Sequence, residues 1–300
     1  MNIVTGAFSF TGKLITQRLL AMGENVRTLT GHPDRPNTFG NKVSAVPYNF
    51  DNPGGLVKEL RGAKTLYNTY WVRFPYGDIT YEKAVENTKI LIAASKEAGL
   101  KRIVHISIAN ATEDSSFPYF KGKAQLERAI MGSGLSYTII RPAVIFGEEG
   151  ILINNIAWLL RRFPVFVIPG TGDYRLQPIF VEDLADIAVA AGHKADNIVM
   201  DAVGPETFTF DGLVRLITGI IQSKALIIHL NQQLAFLLTR VLSLLVNDVI
   251  LTKDEVQGLT SNLLVSHGVP TGHTKLSAWL KQNPEAVGRG YLSELKRHYF

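Results

Sequence analysis

The opening residues limit the fold of this chain more than any other stretch. Residues 2–5 form a short apolar strand pattern, a glycine turn runs from Gly6 to Gly12, and a helix pattern follows. Backbone N–H groups at a helix start, together with the positive end of the helix dipole, attract anions. The spacing is that of G-x-x-G-x-x-G with Ser9 in place of the middle glycine. We therefore expect Gly6 to form the turn, Gly12 to let the helix approach the strand, and a dinucleotide pyrophosphate to bind there.

Strand and helix patterns alternate after this turn, which favours the dinucleotide site over an ordinary strand-to-helix turn. We predict an α/β fold, a Rossmann-type doubly wound parallel sheet, in residues 1–203, and a smaller, mainly helical C-terminal domain in residues 204–300. Further strands are predicted at 26–30, 43–48, 65–71, 102–107, 136–140 and 197–203. The turn residues expected to contact the dinucleotide are Gly6, Phe8, Ser9, Phe10, Thr11 and Gly12.

The composition argues against some classes of ligand and partner. The chain has 300 residues, 46% of them hydrophobic, which is enough for a large buried core. Its formal charge is +5, but Lys and Arg are scattered and no basic run is interleaved with aromatic residues, so we expect no nucleic-acid partner. Without cysteine there is no thiolate ligand, and the histidines lack metal-ligand spacing, so we expect no metal. The first strand follows Met1 closely, which leads us to expect a cytoplasmic protein without a signal peptide.

The end of the second strand bears on which dinucleotide is bound. Enzymes that use NAD commonly place an acid there for the ribose, whereas a cation suits the 2′-phosphate of NADP. This chain has His32 directly after the strand and Arg35 just beyond, so NADP(H) is favoured, NAD(H) is the alternative, and an incidental solvated loop is the third interpretation. After the third strand, Phe50 and Asp51 are expected beside the adenine, unless Asp51 only caps the following helix.

Polar side chains at the carboxyl ends of later strands are expected to face the cofactor, because ligands bind at that edge of a parallel sheet. These are Asn68, Thr69 and Tyr70 after the fourth strand, and Pro142, Ala143 and Val144 where the chain leaves the sixth strand near the nicotinamide. Tyr119 and Lys123 are four residues apart on one predicted helix face and can share a ligand. A surface pair on that helix is the alternative interpretation.

The glycine turn, the Tyr119/Lys123 pair and the segment 141–147 together resemble the extended short-chain dehydrogenase/reductase superfamily, which includes nucleotide-sugar epimerases and dehydratases. The chain resembles one atypical branch of that superfamily more closely. This branch is grouped with the nucleotide-binding accessory subunit of mitochondrial respiratory complex I. The resemblance to that branch covers nearly the whole chain through the segments 154–162, 174–179, 183–185, 252–256 and 279–291.

The resemblance implies roles for individual residues. Tyr119 would be the general acid/base on a substrate carbonyl or hydroxyl, and Lys123 would hold the nicotinamide ribose and favour the tyrosinate. Ser107 is assigned as the third catalytic residue, although it lies early in the match and the position of a catalytic serine falls nearer Ala109. The resemblance to this branch equally implies that NADP(H) is bound as a structural ligand without turnover of a substrate. Residues 148–175 are expected to contribute to the substrate side, and the substrate candidates are Asn155, Arg175 and Gln177.

The most apolar run of the chain is 225–246. Polar residues such as His229, Gln232 and Arg240 interrupt it, so we do not expect a transmembrane span. Within the predicted helix 231–246, leucines and a valine recur at helical spacing and suit either a core face or a face that docks on a partner or a membrane. These residues are Leu234, Leu237, Leu238, Val241, Leu244 and Leu245.

Two functions follow from the sequence. The first is an NAD(P)-binding protein with oxidoreductase or epimerase chemistry at Tyr119 and Lys123 on an unknown small-molecule substrate. The second is a non-catalytic NADP(H)-binding structural or assembly factor that contacts a membrane or a protein complex peripherally.

Overall fold

The structure is a computed structural model that describes residues 1–250 and 252–298, and this part of the chain divides into two compact units. The first unit comprises Met1–Pro142 and Val181–Asp201, and the second comprises Ala143–Phe180 together with the described residues from Ala202 onward. The domain boundary expected at residue 203 and the substrate-side role of 148–175 stay predictions.

A seven-stranded sheet with flanking helices forms the first unit. Its strand order is β11-β6-β5-β4-β1-β2-β3, and the pairs β1–β2, β2–β3, β1–β4, β4–β5 and β5–β6 are all parallel. The strands are β1 (Asn2–Thr5), β2 (Val26–Thr30), β3 (Val43–Pro47), β4 (Thr65–Asn68), β5 (Arg102–Ile106), β6 (Ser136–Pro142) and β11 (Ile198–Ala202). The helices are α1 (Phe10–Ala21), α2 (Pro53–Leu60), α3 (Tyr81–Glu97), α4 (Pro118–Met131) and α6 (Val181–Gly192), and Gly40–Lys42 is a short 3₁₀ turn.

The strand order reverses between β1 and β4. The chain moves outward from β1 to β3 and then crosses back to β4 on the other side of β1. In open parallel sheets, ligands bind at the carboxyl ends of the strands at this reversal point. The Rossmann-type fold predicted from the alternation is confirmed, and the reversal places the glycine turn after β1 at the expected ligand edge.

Apolar side chains from five adjacent strands form the core on the side of α2–α4. Ile3, Leu29, Leu66, Ile103 and Ile139 are fully buried there. Each such side chain contributes about 1.5–3 kcal/mol when removed from water. Strands β1, β4 and β5 are buried along their whole length, which is typical of a parallel sheet covered on both faces.

Several element ends differ from the prediction because local hydrogen bonds decide them. Helix α2 is capped by Asn52, whose Oδ1 accepts from the Gly55 N–H at 3.1 Å, so Asp51 is not the cap. The fourth strand ends at Asn68.

The second unit has its own buried core, formed by side chains such as Phe146, Leu160, Leu176, Leu213 and Trp279. Its strands pair as β10–β7, β12–β9 and β13–β8. They are β7 (Val144–Phe146), β8 (Val165–Pro169), β9 (Arg175–Leu176), β10 (Pro178–Phe180), β12 (Phe208–Thr209) and β13 (Leu226–Leu230). The helices are α5 (Ile151–Arg162), α7 (Phe210–Ile220), α8 (Gln232–Val246), α9 (Lys253–Thr260), α10 (Leu276–Gln282) and α11 (Glu294–His298).

The basic amphipathic pattern of residues 284–298 predicts a closing surface helix, which is wrong over most of its length. Within this segment only Glu294–His298 is helical, and Gly288 has a φ of 76°, in the left-handed region. Among the described residues, no helix combines the length and the apolar character needed to cross a bilayer.

Candidate functional site

The glycine turn after β1 requires glycine at both of its ends. Gly6 has a φ of 64°, in the left-handed region. At Gly12 a Cβ would lie 2.2 Å from the Gly6 carbonyl oxygen, so any side chain there would push α1 away from the turn. Ser9 Oγ donates to the Gly6 carbonyl at 2.6 Å and makes no capping bond to the helix. The first amides of an α-helix lack intrahelical partners, so the start of α1 fits an anion such as a pyrophosphate.

Thr5 joins this turn to the loop after β4. Its Oγ1 accepts hydrogen bonds from the N–H of Thr69 at 2.7 Å and of Tyr70 at 3.0 Å. In return Thr69 Oγ1 donates to the Thr5 carbonyl at 2.5 Å. The structure therefore brings Thr69 and Tyr70 to the edge that carries Gly6. Thr5 was missed by the sequence reasoning, and its position directly before the first glycine is the signal that could have found it.

The Asn68 side chain forms hydrogen bonds to its neighbours at the end of the sheet. Its Oδ1 accepts from the Tyr70 N–H at 3.1 Å, and its Nδ2 donates to His105 Nδ1 at 3.0 Å. Burial, with a further effect of nearby Lys123, lowers the pKa of His105 well below its usual value, so this imidazole is neutral. The Asn68 amide thus shapes the loop after β4, and its expected contact with the dinucleotide stays a prediction.

Aromatic rings line the sheet edge on the β2 and β3 side. Phe50 stacks on Tyr48 with centroids 4.9 Å apart and an interplanar angle of 11°, and it packs against Tyr70 at 5.2 Å. Phe8, in the glycine turn, stacks on Phe39 at 6.4 Å. Burial raises the pKa of the Tyr48 and Tyr70 hydroxyls, so both stay protonated. These flat apolar surfaces suit a nucleobase.

The turn after β2 contains His32 and Arg35, the two residues expected to contact a 2′-phosphate. The Arg35 N–H donates to the His32 carbonyl at 3.2 Å, and the His32 N–H donates to Thr30 Oγ1 at 3.2 Å. His32 and Arg35 are half-buried, whereas Asp34 between them and Asp51 after β3 are exposed. The turn therefore presents a cationic group and one solvated carboxylate at the end of β2.

Lys123 is only 3% exposed. Its Nζ donates to the Ile106 carbonyl at 2.8 Å and lies 4.8 Å from the centroid of the Trp71 ring. Desolvation lowers the pKa of this ammonium to about 7, against a smaller opposing effect of Glu127. The lysine can therefore titrate near neutral pH, where an exposed lysine stays protonated.

Tyr119 lies in an aromatic cluster on the same side of α4. Its ring meets Trp71 edge-on at 5.7 Å and Tyr81 edge-on at 5.9 Å, and Trp71 stacks on Tyr81. Gly122 makes room for this arrangement, because a Cβ there would lie 2.8 Å from the Trp71 ring. Trp71 thus covers the lysine partner of Tyr119, a contact that sequence spacing alone does not indicate.

Ser107 is bonded to the carboxylate of a partly buried ion pair between Glu127 and Arg141. Its Oγ donates to Glu127 Oε1 at 2.5 Å, and Arg141 donates to both oxygens of the same carboxylate at 2.9 and 2.5 Å. Ser107 is 3% exposed. In this structure its hydroxyl is bonded to the Glu127–Arg141 pair, and the assignment of Ser107 as the third catalytic residue stays a prediction.

The remaining predicted residues are distributed over both units. Pro142 ends β6, and its carbonyl accepts from the Ala109 N–H at 2.8 Å, whereas Ala143 and Val144 belong to the second unit. Among the described residues, no cluster of three or more His, Cys, Asp or Glu side chains could hold a metal ion.

The three substrate candidates also lie in the second unit. Asn155 donates to the Leu292 carbonyl at 3.0 Å and accepts from the Leu292 N–H at 2.9 Å. Gln177 donates to the Gly204 carbonyl at 2.9 Å and accepts from the Ser266 N–H at 3.2 Å. Both amides therefore hold backbone segments together, and of the three only Arg175 is exposed.

Comparisons with known proteins agree with this geometry. Residues 6–154 match the model of a family described as NAD(P)H-binding. The chain is 25% identical over 283 residues to mitochondrial NADH dehydrogenase (ubiquinone) 1 alpha subcomplex subunit 9 of Arabidopsis thaliana, a match that covers 88% of this chain and 70% of that protein. These similarities fit an atypical short-chain dehydrogenase/reductase. It is also 23% identical over 217 residues to a photosystem II assembly factor of Cyanidium caldarium, covering 71% of this chain and 69% of that protein.

Two solved structures show the same fold. A nucleoside-diphosphate-sugar epimerase from Staphylococcus aureus superposes with a TM-score of 0.76 at 16% identity, covering 93% of this chain and 99% of the epimerase. An NADPH-dependent quinone oxidoreductase from Escherichia coli, solved with NADPH, gives a TM-score of 0.76 at 18% identity, covering 94% of this chain and 99% of that one. The chain therefore has the fold of these NAD(P)-binding proteins, and the match to the NAD(P)H-binding family supports a nicotinamide dinucleotide as its cofactor.

Proposed function

We propose that this protein binds NADP(H) in preference to NAD(H). The contact of Gly12 with Gly6 carries the binding part of the proposal, because it brings the start of α1 to the phosphate position. Arg35 on the turn after β2 carries the preference, because a guanidinium suits a 2′-phosphate and can bind it through two N–H groups.

The preference is tested by calorimetric titration of NADPH and NADH. We expect Arg35→Ala to weaken NADPH binding by roughly tenfold, the loss of one charge-assisted contact, and to leave NADH unchanged. Asp34→Ala is the matched control on the same turn and is expected to retain NADPH binding. Tighter binding of NADH than of NADPH by the wild type, or an Arg35→Ala variant with full NADPH affinity, would contradict the preference.

The chain offers a Tyr–Lys pair for oxidoreductase or epimerase chemistry. When bound, the dinucleotide would supply the hydride chemistry. Tyr119 would give or take the proton at the substrate oxygen, and the ammonium form of Lys123 would favour the tyrosinate. This function is supported by the placement of the pair, because Tyr119 and Lys123 lie one helical turn apart on α4 and both pack against the Trp71 ring.

A second candidate function is that of a non-catalytic, dinucleotide-stabilised subunit or assembly factor of a membrane-associated complex. The hydrogen bond from the Ser107 hydroxyl to Glu127 favours this candidate, because it commits that hydroxyl's proton to a carboxylate instead of a substrate oxygen. The complex I subunit of Arabidopsis and the photosystem II assembly factor of Cyanidium are the relatives that support such a partner class.

Turnover separates the two candidates. The wild type and Tyr119→Phe would be assayed with NADPH against quinones, ketones and nucleotide sugars. Loss of turnover in Tyr119→Phe with unchanged NADPH affinity supports the enzyme. NADPH binding by a wild type that turns over none of these carbonyl compounds supports the assembly factor.

A further inference from the structure

Five large apolar side chains of the second unit are exposed on neighbouring elements, and we call them the apolar face. Val165 on β8 is 41% exposed and Leu226 on β13 is 63% exposed, and on α8 the values are 48% for Leu234, 56% for Leu237 and 45% for Leu238. An exposed apolar group of this size on a folded unit marks a surface that binds a partner or a membrane.

The secondary structure holds these side chains in one region. Val165 and Leu226 are register partners where β13 pairs with β8. Helix α8 begins at Gln232, directly after β13, and Asn231 caps it by accepting from the Leu234 N–H at 2.9 Å. Leu234, Leu237 and Leu238 have i, i+3, i+4 spacing, so they share one side of the helix. Ala235 is 1% exposed, which shows that a different side of α8 packs inward.

The charged residues of the same elements are all basic. The segments 150–172 and 212–247, which include α5, β8, β13 and α8, contain no Asp or Glu. The same segments carry Arg161, Arg162, Arg215, Lys224 and Arg240. Arg215 pairs with Asp211, whereas Arg162, Lys224 and Arg240 are exposed. The apolar face is therefore accompanied by cations and by no acidic side chain of its own segments.

We propose that the apolar face docks on an anionic lipid surface, with α8 lying in the plane of the interface. Exposed leucines enter the headgroup boundary, and cations beside them attract anionic headgroups. Helix α8 has 15 residues, which is too short to cross the hydrocarbon core. A second copy of this chain is a poorer occupant, because a symmetric contact would bring cations against cations. This surface is independent of dinucleotide binding and extends the proposed function.

Vesicle flotation of the full-length protein tests the proposal. The wild type is expected to float with phosphatidylcholine vesicles that contain phosphatidylglycerol, to remain behind with phosphatidylcholine alone, and to be released by salt. We expect Leu237→Gln/Leu238→Gln to lower the bound fraction at least tenfold, because two buried leucines are lost. Lys224→Gln and Arg240→Gln are each expected to weaken binding roughly fivefold.

Matched controls distinguish loss of the apolar face from unfolding and from a general effect of replacing an exposed apolar residue. Val269 is 85% exposed and lies outside the apolar face, so Val269→Gln is expected to float like the wild type. All variants should keep the wild-type thermal midpoint, which shows that they fold. The proposal is wrong if the wild type fails to float or floats equally with neutral vesicles. It is also wrong if Leu237→Gln/Leu238→Gln floats like Val269→Gln, or if this double variant converts a wild-type dimer into a monomer in sedimentation.

Discussion

Gly12 is the residue on which the dinucleotide site depends most directly. A Cβ at this position would lie 2.2 Å from the Gly6 carbonyl oxygen and 3.1 Å from the Thr5 carbonyl oxygen. Both atoms belong to the backbone and cannot rotate away. Gly12→Ala is expected to cost about 1–3 kcal/mol of stability and to lower NADPH affinity at least tenfold, measured by urea unfolding and calorimetry.

Gly54 in α2 is the matched control for this substitution. A Cβ there meets no atom closer than 4.0 Å, so Gly54→Ala is expected to keep both stability and NADPH affinity. If Gly12→Ala behaved like Gly54→Ala, the close contact between α1 and the turn would not determine the site.

Lys123 gives the protein a pH-dependent stability with a defined sign. Its pKa is lowered to about 7 in the folded state, while an unfolded lysine titrates near 10.4. Between these values the unfolded chain binds one more proton, so the lysine opposes folding fully below pH 7 and progressively less as pH rises toward about 10. The stability of Lys123→Met relative to the wild type is therefore expected to fall from pH 7 to about 10 in thermal unfolding.

Lys121 lies on the same helix and is exposed, so Lys121→Met is the control. Its stability difference from the wild type is expected to stay constant across this range. A constant difference for Lys123→Met as well would mean that the ammonium is hydrated rather than buried.

Side-chain partners explain which site residues the sequence could reveal. Gly6 and Gly12 depend on the backbone of a seven-residue turn, and their spacing alone predicts their roles. Ser107 bonds to Glu127, which is 20 residues away on α4, and Asn155 bonds to Leu292, which is 137 residues away. No local pattern encodes such partners, so the sequence could not predict these contacts, and the site roles of both residues stay predictions.

At the scale of elements, glycines at two helix positions are expected to respond in opposite ways to the same substitution. Alanine normally stabilises a helix interior by up to about 1 kcal/mol relative to glycine. At Gly219 in α7 a Cβ would meet open space, whereas at Gly122 in α4 it would lie 2.8 Å from the Trp71 ring. Gly219→Ala is expected to raise the urea midpoint, and Gly122→Ala to lower it by an amount equivalent to about 1–3 kcal/mol.

Two gains of similar size would show that Trp71 moves aside without cost, and the packing of the indole over Lys123 would then not be fixed by α4. Trp71→Phe in the Gly122→Ala background is a further check, because the smaller ring should recover part of the lost stability.

Element types were predictable because apolar periodicity is local, whereas element ends were not. The pattern of residues 65–71 predicts one strand. The N–H groups of Thr69 and Tyr70 instead donate to Thr5 Oγ1, so the strand ends at Asn68. The expected helix over 284–298 fails for a similar reason, because Asn154 donates to the Gly290 carbonyl and holds that segment in a turn.

At the scale of the whole molecule, the α/β class and the parallel sheet follow from the order of strand and helix patterns. The assignment of segments to units does not, because residues 143–180 join the second unit and 181–201 return to the first through long-range packing. The cytoplasmic location stays a prediction, and the turnover assay decides between an enzyme and an assembly factor.

The central claim is that the turn between β1 and α1 binds NADP(H). A crystal structure of the protein soaked with NADPH tests it most directly. We expect pyrophosphate density against the amides at the start of α1 beside Gly12, with the 2′-phosphate next to Arg35. NADPH bound elsewhere on the protein, or no density at saturating NADPH in crystals whose turn is accessible, would contradict it.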